Sequence, residues 1–99
     1  MSRFAIELTL SAEQELIKLK RDKSKNTVYK AVSKTIRFLS ENPRHPGLNT
    51  HKYSSLSGVD GEEVFEAYAQ NKTPGAYRVF WYYGPKARVI TILAITSHP

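Results

Sequence analysis

The stretch "AYRVFWYYG", residues 76–84, decides the fold. Apart from one arginine, its side chains are largely apolar at both odd and even positions. Its β-branched and aromatic residues, followed by a glycine, are typical of a strand. Alternate residues of a strand face opposite sides of a sheet. One side would carry Ala76, Arg78, Phe80 and Tyr82, and the other Tyr77, Val79, Trp81 and Tyr83. Both sides are mainly apolar, which predicts a central strand.

Arg78 is the exception in this strand. Arginine is rarely buried without a partner, because removing its charge from water is costly. We expect Arg78 on the sheet face that the helices leave open, where aromatic rings can stack on its guanidinium or on a nucleic-acid base. It is therefore the first candidate functional residue of the chain.

Upstream of this strand the sequence predicts one strand and two helices. Residues 3–9 alternate apolar and polar side chains, as a short strand does. Ser11, with Gln14 three residues later, has the capping-box pattern and predicts a helix over 11–22. Residues 24–42 repeat apolar side chains at helical spacing. Only a short polar link separates the helices, which predicts an antiparallel hairpin.

Downstream of the helices the apolar period changes to two, with turn residues between the runs. Strands are predicted at residues 51–58, 62–69, 76–84 and 87–96. Successive strands joined by short turns pair antiparallel. The predicted fold is α+β: an N-terminal strand and a helical hairpin packed on a curved antiparallel sheet of about four strands, in the order β-α-α-β-β-β, with residues 51–57 as a candidate for one further strand. A chain of 99 residues makes one domain, residues 1–99.

The positive charge is concentrated in the first part of the chain. Fifteen Lys and Arg stand against nine Asp and Glu, for a formal net charge of +6. Residues 1–44 hold ten of these cations and five of the acids. Such a field attracts an anion, either nucleic acid or an acidic protein. The alternative is a solvated helix face that stays charged for solubility.

Several classes of protein are excluded by what the sequence lacks. There is no cysteine, which excludes disulfides and thiolate metal sites and fits a reducing compartment. No apolar run reaches the roughly 18 residues of a membrane span, and the N-terminal run is too short for a signal peptide. We therefore expect a cytoplasmic protein with no membrane partner. The histidines, His45, His51 and His98, are not at ligand spacing, so neither a metal nor a cofactor is expected.

The basic and aromatic residues of the C-terminal sheet suit a phosphodiester substrate. Arginine stabilises charge on a phosphate, histidine transfers protons near neutral pH, and tyrosine stacks on bases. RNA supplies its own nucleophile, the 2′-hydroxyl, so an RNA-cleaving site needs only a base, an acid and a cation. The candidate residues are His51, Lys52, Tyr53, Arg78, Tyr82, Arg88 and His98.

Each candidate also has a structural alternative. For Arg78 it is an ion pair with Glu66 or Glu63 across the sheet. For the others it is a frayed chain end (His98), a capping or other hydrogen bond (His51), sheet packing (Tyr82) and ordinary surface charge (Lys52 and Arg88).

The order of elements and three stretches of the sequence resemble the RelE/ParE superfamily of small bacterial toxins. The stretches are "FLSENPRHPGLNTHKYSSLSG" (38–58), "AYRVFWYYG" (76–84) and "ARVITILAITSHP" (87–99). The nuclease branch of that family cleaves mRNA on the ribosome, without metal, through the 2′-hydroxyl. The resemblance implies that Arg78 contacts the scissile phosphate and that His98 is an acid or base. It matches His51 and Lys52 to a basic segment of the family.

This resemblance implies the toxin of a type II toxin–antitoxin pair that inhibits translation. Its implied partners are mRNA on the ribosome and an acidic antitoxin that folds as it binds, with an oligomer formed with that antitoxin. One departure stands out: the strand after "LSG" carries Glu62, Glu63 and Glu66, where the family often has an arginine. Carboxylates beside a phosphate site repel RNA.

Two other functions remain open from the sequence. The first is a protein of the same fold without nuclease activity, either a gyrase-inhibitor-like toxin or an inactive member that only binds a partner. The second is a nucleic-acid-binding module that uses the helix charges of residues 18–44. The second predicts binding to free RNA or DNA that falls steeply with salt.

Overall fold

The computed structural model describes residues 3–97. Two helices, α1 (Leu10–Arg21) and α2 (Asn26–Glu41), are separated by a short 3-10 turn. The strands are β1 (Ala5–Leu8), β2 (His51–Ser57), β3 (Glu63–Tyr68), β4 (Tyr77–Tyr83) and β5 (Val89–Ser97). Neither helix in this part of the chain is long and apolar enough to cross a lipid bilayer.

The sheet has five strands in the order β1-β5-β4-β3-β2. The predicted α+β fold is confirmed, and residues 51–57 form the further strand as β2. β2, β3, β4 and β5 pair antiparallel in succession, as expected from their short connections. β1 pairs parallel with β5, so the sheet is mixed rather than antiparallel throughout. No hairpin turn fixes the direction of β1, because the chain passes from β1 straight into α1.

The helices cover one face of the sheet and enclose the main core. Val79 and Trp81 of β4 point into this core and are fully buried. They pack among residues from both helices and from the strands on either side of β4. The helical contributors to this core are Ala12, Leu19, Val32 and Leu39. The main core therefore depends on the alternation in residues 76–83 that predicted a central strand.

The opposite face of β4 carries a second, smaller cluster. Phe80 and Tyr82 are 7% and 5% exposed and pack against Val64 of β3. Tyr53 of β2 and Ala94 of β5 close the cluster from the two sides. The face without helices is thus partly shielded from water, and Arg78 lies on it next to this cluster.

The first helix begins at a different residue from the one predicted. Thr9, not Ser11, is the N-cap: its hydroxyl accepts a hydrogen bond from the Ala12 amide at 3.1 Å. The same hydroxyl donates to the Leu93 carbonyl at 2.8 Å. Leu93 lies at a β-bulge, where the pairing of β4 with β5 shifts by one residue. Thr9 therefore caps α1 and also occupies a carbonyl at the bulge.

Thr9→Val keeps the shape of the side chain and removes both hydrogen bonds. We expect it to lower the free energy of unfolding by about 1–2 kcal/mol, the usual cost of losing a helix cap. Ser11→Ala should change that free energy by less than about 0.5 kcal/mol, because Ser11 is an exposed residue within the helix. Urea denaturation followed by circular dichroism measures both. A larger loss for Ser11→Ala than for Thr9→Val would place the helix start at Ser11 after all.

Candidate functional site

Arg78 is the centre of the candidate site. It is the second residue of β4 and is only 8% exposed. Its guanidinium carbon lies 3.8 Å from the centre of the Tyr68 ring, and Tyr68 is its partner across the β3–β4 pair. Its Nη1 donates a hydrogen bond of 2.7 Å to the Gln70 carbonyl. An aromatic face and a backbone carbonyl therefore hold the guanidinium in one orientation.

The Gln70 carbonyl is itself a fixed acceptor. The backbone amide of Gln70 donates to the Tyr77 carbonyl at 3.1 Å. The Tyr77 amide in turn donates to Oε1 of Gln70 at 3.2 Å. These bonds close the ends of β3 and β4 around the residue that positions Arg78, so the cation sits on the sheet framework and not on a free loop.

Glu66 supplies the counter-charge. Its Oε2 lies 3.6 Å from Nε of Arg78, and the two side chains are 13% and 10% exposed. Nε is buried and makes no hydrogen bond within residues 3–97. The ion pair is therefore close but loose. The structural alternative foreseen for Arg78 is confirmed for Glu66, whereas Glu63 pairs with Lys52 at 3.4 Å.

Arg78 and Glu66 both line an open concavity of about 370 Å³ on the sheet face without helices. Its other walls come from β2, β4 and β5. The lining residues are Tyr53, Ser55, Leu56, Glu66, Arg78, Phe80, Ala94, Thr96 and Ser97. Aromatic and aliphatic walls with one fixed cation suit a ligand that has an anionic group and a flat apolar part, as a nucleotide does.

Two of the other predicted site residues lie near Arg78. Tyr53 lines the concavity, with its ring 4.7 Å from that of Phe80. His51 is exposed at the start of β2, and its ring centre lies 5.6 Å from that of Tyr68. The Tyr68 ring therefore contacts both His51 and Arg78. His51 reaches the rim of the site without lining the concavity.

Three other candidates lie apart from Arg78. Lys52 points to the opposite side of β2, where it pairs with Glu63. Tyr82 is almost fully buried in the second cluster, so its ring is covered by protein. Arg88 follows the other end of β4 and lies 4.1 Å over the Phe4 ring. His98 lies outside the described residues.

The described residues include no group of three or more His, Cys, Asp or Glu that could hold a metal ion. Tyr77 precedes Arg78 but faces the helix side of β4, where burial raises the pKa of its hydroxyl, with a smaller contribution from the charge of Glu15.

Two residues that position Arg78 were not predicted from the sequence. They are Tyr68 and Gln70. The alternation of β3 does place Tyr68 on the same face as Glu66, and that signal was available in the sequence. The register that sets Tyr68 directly opposite Arg78 was not available, because residues 69–76 form a connection too long to fix it. Gln70 acts through its backbone, which leaves no signal in the residue type.

The two ion pairs of β3 allow a matched test of this geometry. We expect a double-mutant cycle with Glu66→Gln and Arg78→Gln to give a coupling energy of about 1–2 kcal/mol in the free energy of unfolding. A little-exposed charge left without its partner is costly. The same cycle on Lys52 and Glu63, whose side chains are 73% and 56% exposed, should give at most about 0.5 kcal/mol. Urea denaturation of the variants measures both. Equal couplings would contradict the burial of the Arg78 pair.

No protein-family model matches the chain, and no curated protein matches it in sequence. Solved structures do share its fold. RelE in the archaeal RelE–RelB complex from Pyrococcus horikoshii OT3 has TM-score 0.64 and 18% identity, over 95% of this chain and 93% of that one. A YoeB/ParE toxin from Agrobacterium tumefaciens has TM-score 0.71 and 12% identity, over 97% and 100%.

A third structure, the YoeB dimer from Staphylococcus aureus, has TM-score 0.64 and 12% identity over 99% of this chain and 100% of the other. At these identities the likeness lies in the fold, and each superposition covers nearly the whole of both chains. The chain has the RelE/ParE-like toxin fold.

Proposed function

We propose that this protein is the toxin of a toxin–antitoxin pair and that it cleaves mRNA on the ribosome at the concavity around Arg78. The observation that carries this is the guanidinium of Arg78, held in one orientation by Tyr68 and Gln70 at the edge of a concavity with aromatic walls. A fixed guanidinium is well suited to a phosphate, because its donors form parallel charge-assisted hydrogen bonds with phosphate oxygens.

The proposed reaction uses the 2′-hydroxyl of the RNA as nucleophile. A base removes the hydroxyl proton, the O2′–P bond forms, and the P–O5′ bond breaks. The products are a 2′,3′-cyclic phosphate and a 5′-hydroxyl, and an acid returns the proton to the leaving O5′. Arg78 stabilises the negative charge that grows on the phosphate oxygens. Tyr53, on the wall of the concavity, offers a ring for base stacking.

In this proposal His98 is the preferred proton-transfer group, and His51 is the second candidate. His98 follows β5 directly in the sequence, since β5 ends at Ser97. His51 lies at the rim, across the Tyr68 ring from the cation. Positioned acids and bases contribute about 10²–10⁴-fold to such reactions.

The proposed partner is an acidic antitoxin. The +6 charge of the chain favours an acidic protein, and the RelE of the similar fold is found in complex with RelB. α1 offers exposed apolar side chains two turns apart, Leu10 and Ile17, beside the cations Lys18 and Arg21. Such a surface suits an amphipathic segment with acidic flanks.

A second candidate function is favoured by one observation, the ion pair of Arg78 with Glu66. In this alternative Arg78 is a structural residue and the chain is a binding protein of the same fold without nuclease activity. The two functions differ in whether the unaltered protein cleaves translated mRNA.

Cell-free translation of a reporter mRNA, with mapping of new 5′ ends, tests the proposed function. We expect cuts within translated codons and a loss of at least about 10²-fold with Arg78→Ala, since single charge-stabilising donors have effects of that size. Arg78→Lys should lose a similar factor, because it keeps the charge but not the planar fork. Arg44→Ala is the matched control, since it removes an equal, exposed charge elsewhere. Intact mRNA with the unaltered protein would favour the binding protein.

The same assay ranks the two histidines. His98→Ala should reduce the cleavage rate by about 10²-fold or more, the contribution expected of a proton-transfer group. His51→Ala should reduce it by less than about 10-fold, because His51 does not line the concavity. A greater loss with His51→Ala would exchange their roles. Full activity in both variants would rule out His98 and His51 as the proton carriers.

A further inference from the structure

We propose that Glu66 is an internal anion that occupies the Arg78 site until a substrate phosphate displaces it, and that Glu66 thereby limits the affinity of the site for anions. This inference rests on the proposed function, because it takes Arg78 as the phosphate ligand. It adds a regulatory contact that is built into the sheet itself.

Glu66 lies where a phosphate would approach Arg78. Its carboxylate lies on the ligand side of Arg78, since both residues line the same concavity. An incoming phosphate therefore meets a negative charge about as close to Arg78 as its own oxygens would be. Like charges at such a distance repel strongly where both are poorly solvated. The carboxylate has to turn away, or the phosphate binds weakly.

The ion pair between Glu66 and Arg78 is loose. Nε of Arg78 and Oε2 of Glu66 are 3.6 Å apart, and the buried Nε makes no hydrogen bond to the described residues. A phosphate oxygen at normal hydrogen-bond distance would satisfy this donor, which Glu66 does not. Replacement of the carboxylate by phosphate thus exchanges a poor contact for a charge-assisted hydrogen bond.

Arg78 does not need Glu66 to keep its position. Tyr68 stacks on the guanidinium and Gln70 accepts from Nη1, and neither contact involves the carboxylate. When Glu66 leaves, the cation stays fixed and lacks a counter-charge in a poorly solvated place. That state favours the binding of an anion.

Binding of adenosine 3′,5′-bisphosphate to the isolated protein tests this proposal without a ribosome. We expect Glu66→Gln to bind it at least about 10-fold more tightly than the unaltered protein, because a like charge a few ångströms from the phosphate is removed. Glu63→Gln is the matched control: it removes the same charge from the other face of the same strand and should change the affinity less than about 2-fold. In Glu66→Gln/Arg78→Gln the gain should disappear. Calorimetric or NMR titration gives the dissociation constants.

Three results would overturn the proposal. They are equal gains for the two glutamate variants, a gain that survives in the double variant, and weaker binding in Glu66→Gln. If Glu66→Gln folds poorly, the carboxyl carbon signal of Glu66 in the unaltered protein replaces it. That signal should shift during the titration with the same dissociation constant as the amides beside Arg78, and an unchanged signal at saturation would count against displacement.

Failure of this inference and failure of the proposed function are separable. Cleaved mRNA together with unchanged anion affinity in Glu66→Gln would refute the gating role and leave the nuclease intact. Uncut mRNA together with a gain that depends on Arg78 would establish a gated anion site in a protein that is not a nuclease.

Discussion

A single cation on a strand that is largely buried on both faces is the constraint on which the rest of the sheet depends. Trp81 and Val79 commit one face of β4 to the helices, so Arg78 has to lie on the other. There the charge cannot be left alone, because an unpaired ion with little access to water is costly. The ends of β3 and β4 meet this demand with an aromatic ring, a carbonyl and a carboxylate.

The same arrangement explains why two different functions fit one residue. A guanidinium that is held by neutral groups and balanced by a loose carboxylate stabilises the sheet while nothing is bound. It also stays in place for an external anion if the carboxylate turns away. Structural and catalytic roles of Arg78 are thus compatible, and the glutamates of β3 need not abolish a phosphate site. In our account Glu66 determines how tightly that site binds.

Much of the fold could be predicted because the apolar period is a local property of the sequence. The period changes from helical to two after α2, and that change separated the helices from the sheet. What failed depended on partners distant in the chain. Thr9 is the N-cap partly because Leu93, 84 residues away, offers a carbonyl at a bulge. In the site, residue types identified Arg78 and Tyr53, and strand alternation sets Glu66 and Glu63 on opposite faces of β3. Only the strand registers show that Glu66, and not Glu63 or Lys52, shares the face of Arg78.

The central claim is that Arg78 holds a phosphate and that Glu66 gives way to it. A crystal structure of the unaltered protein with adenosine 3′,5′-bisphosphate tests this most directly. The account predicts a phosphate oxygen within about 3 Å of the Arg78 guanidinium, the usual length of a charge-assisted hydrogen bond, with the Glu66 carboxylate turned away. A phosphate bound on the basic surface of α1 and α2, with the Glu66–Arg78 pair unchanged, would contradict it and leave Arg78 as a structural residue.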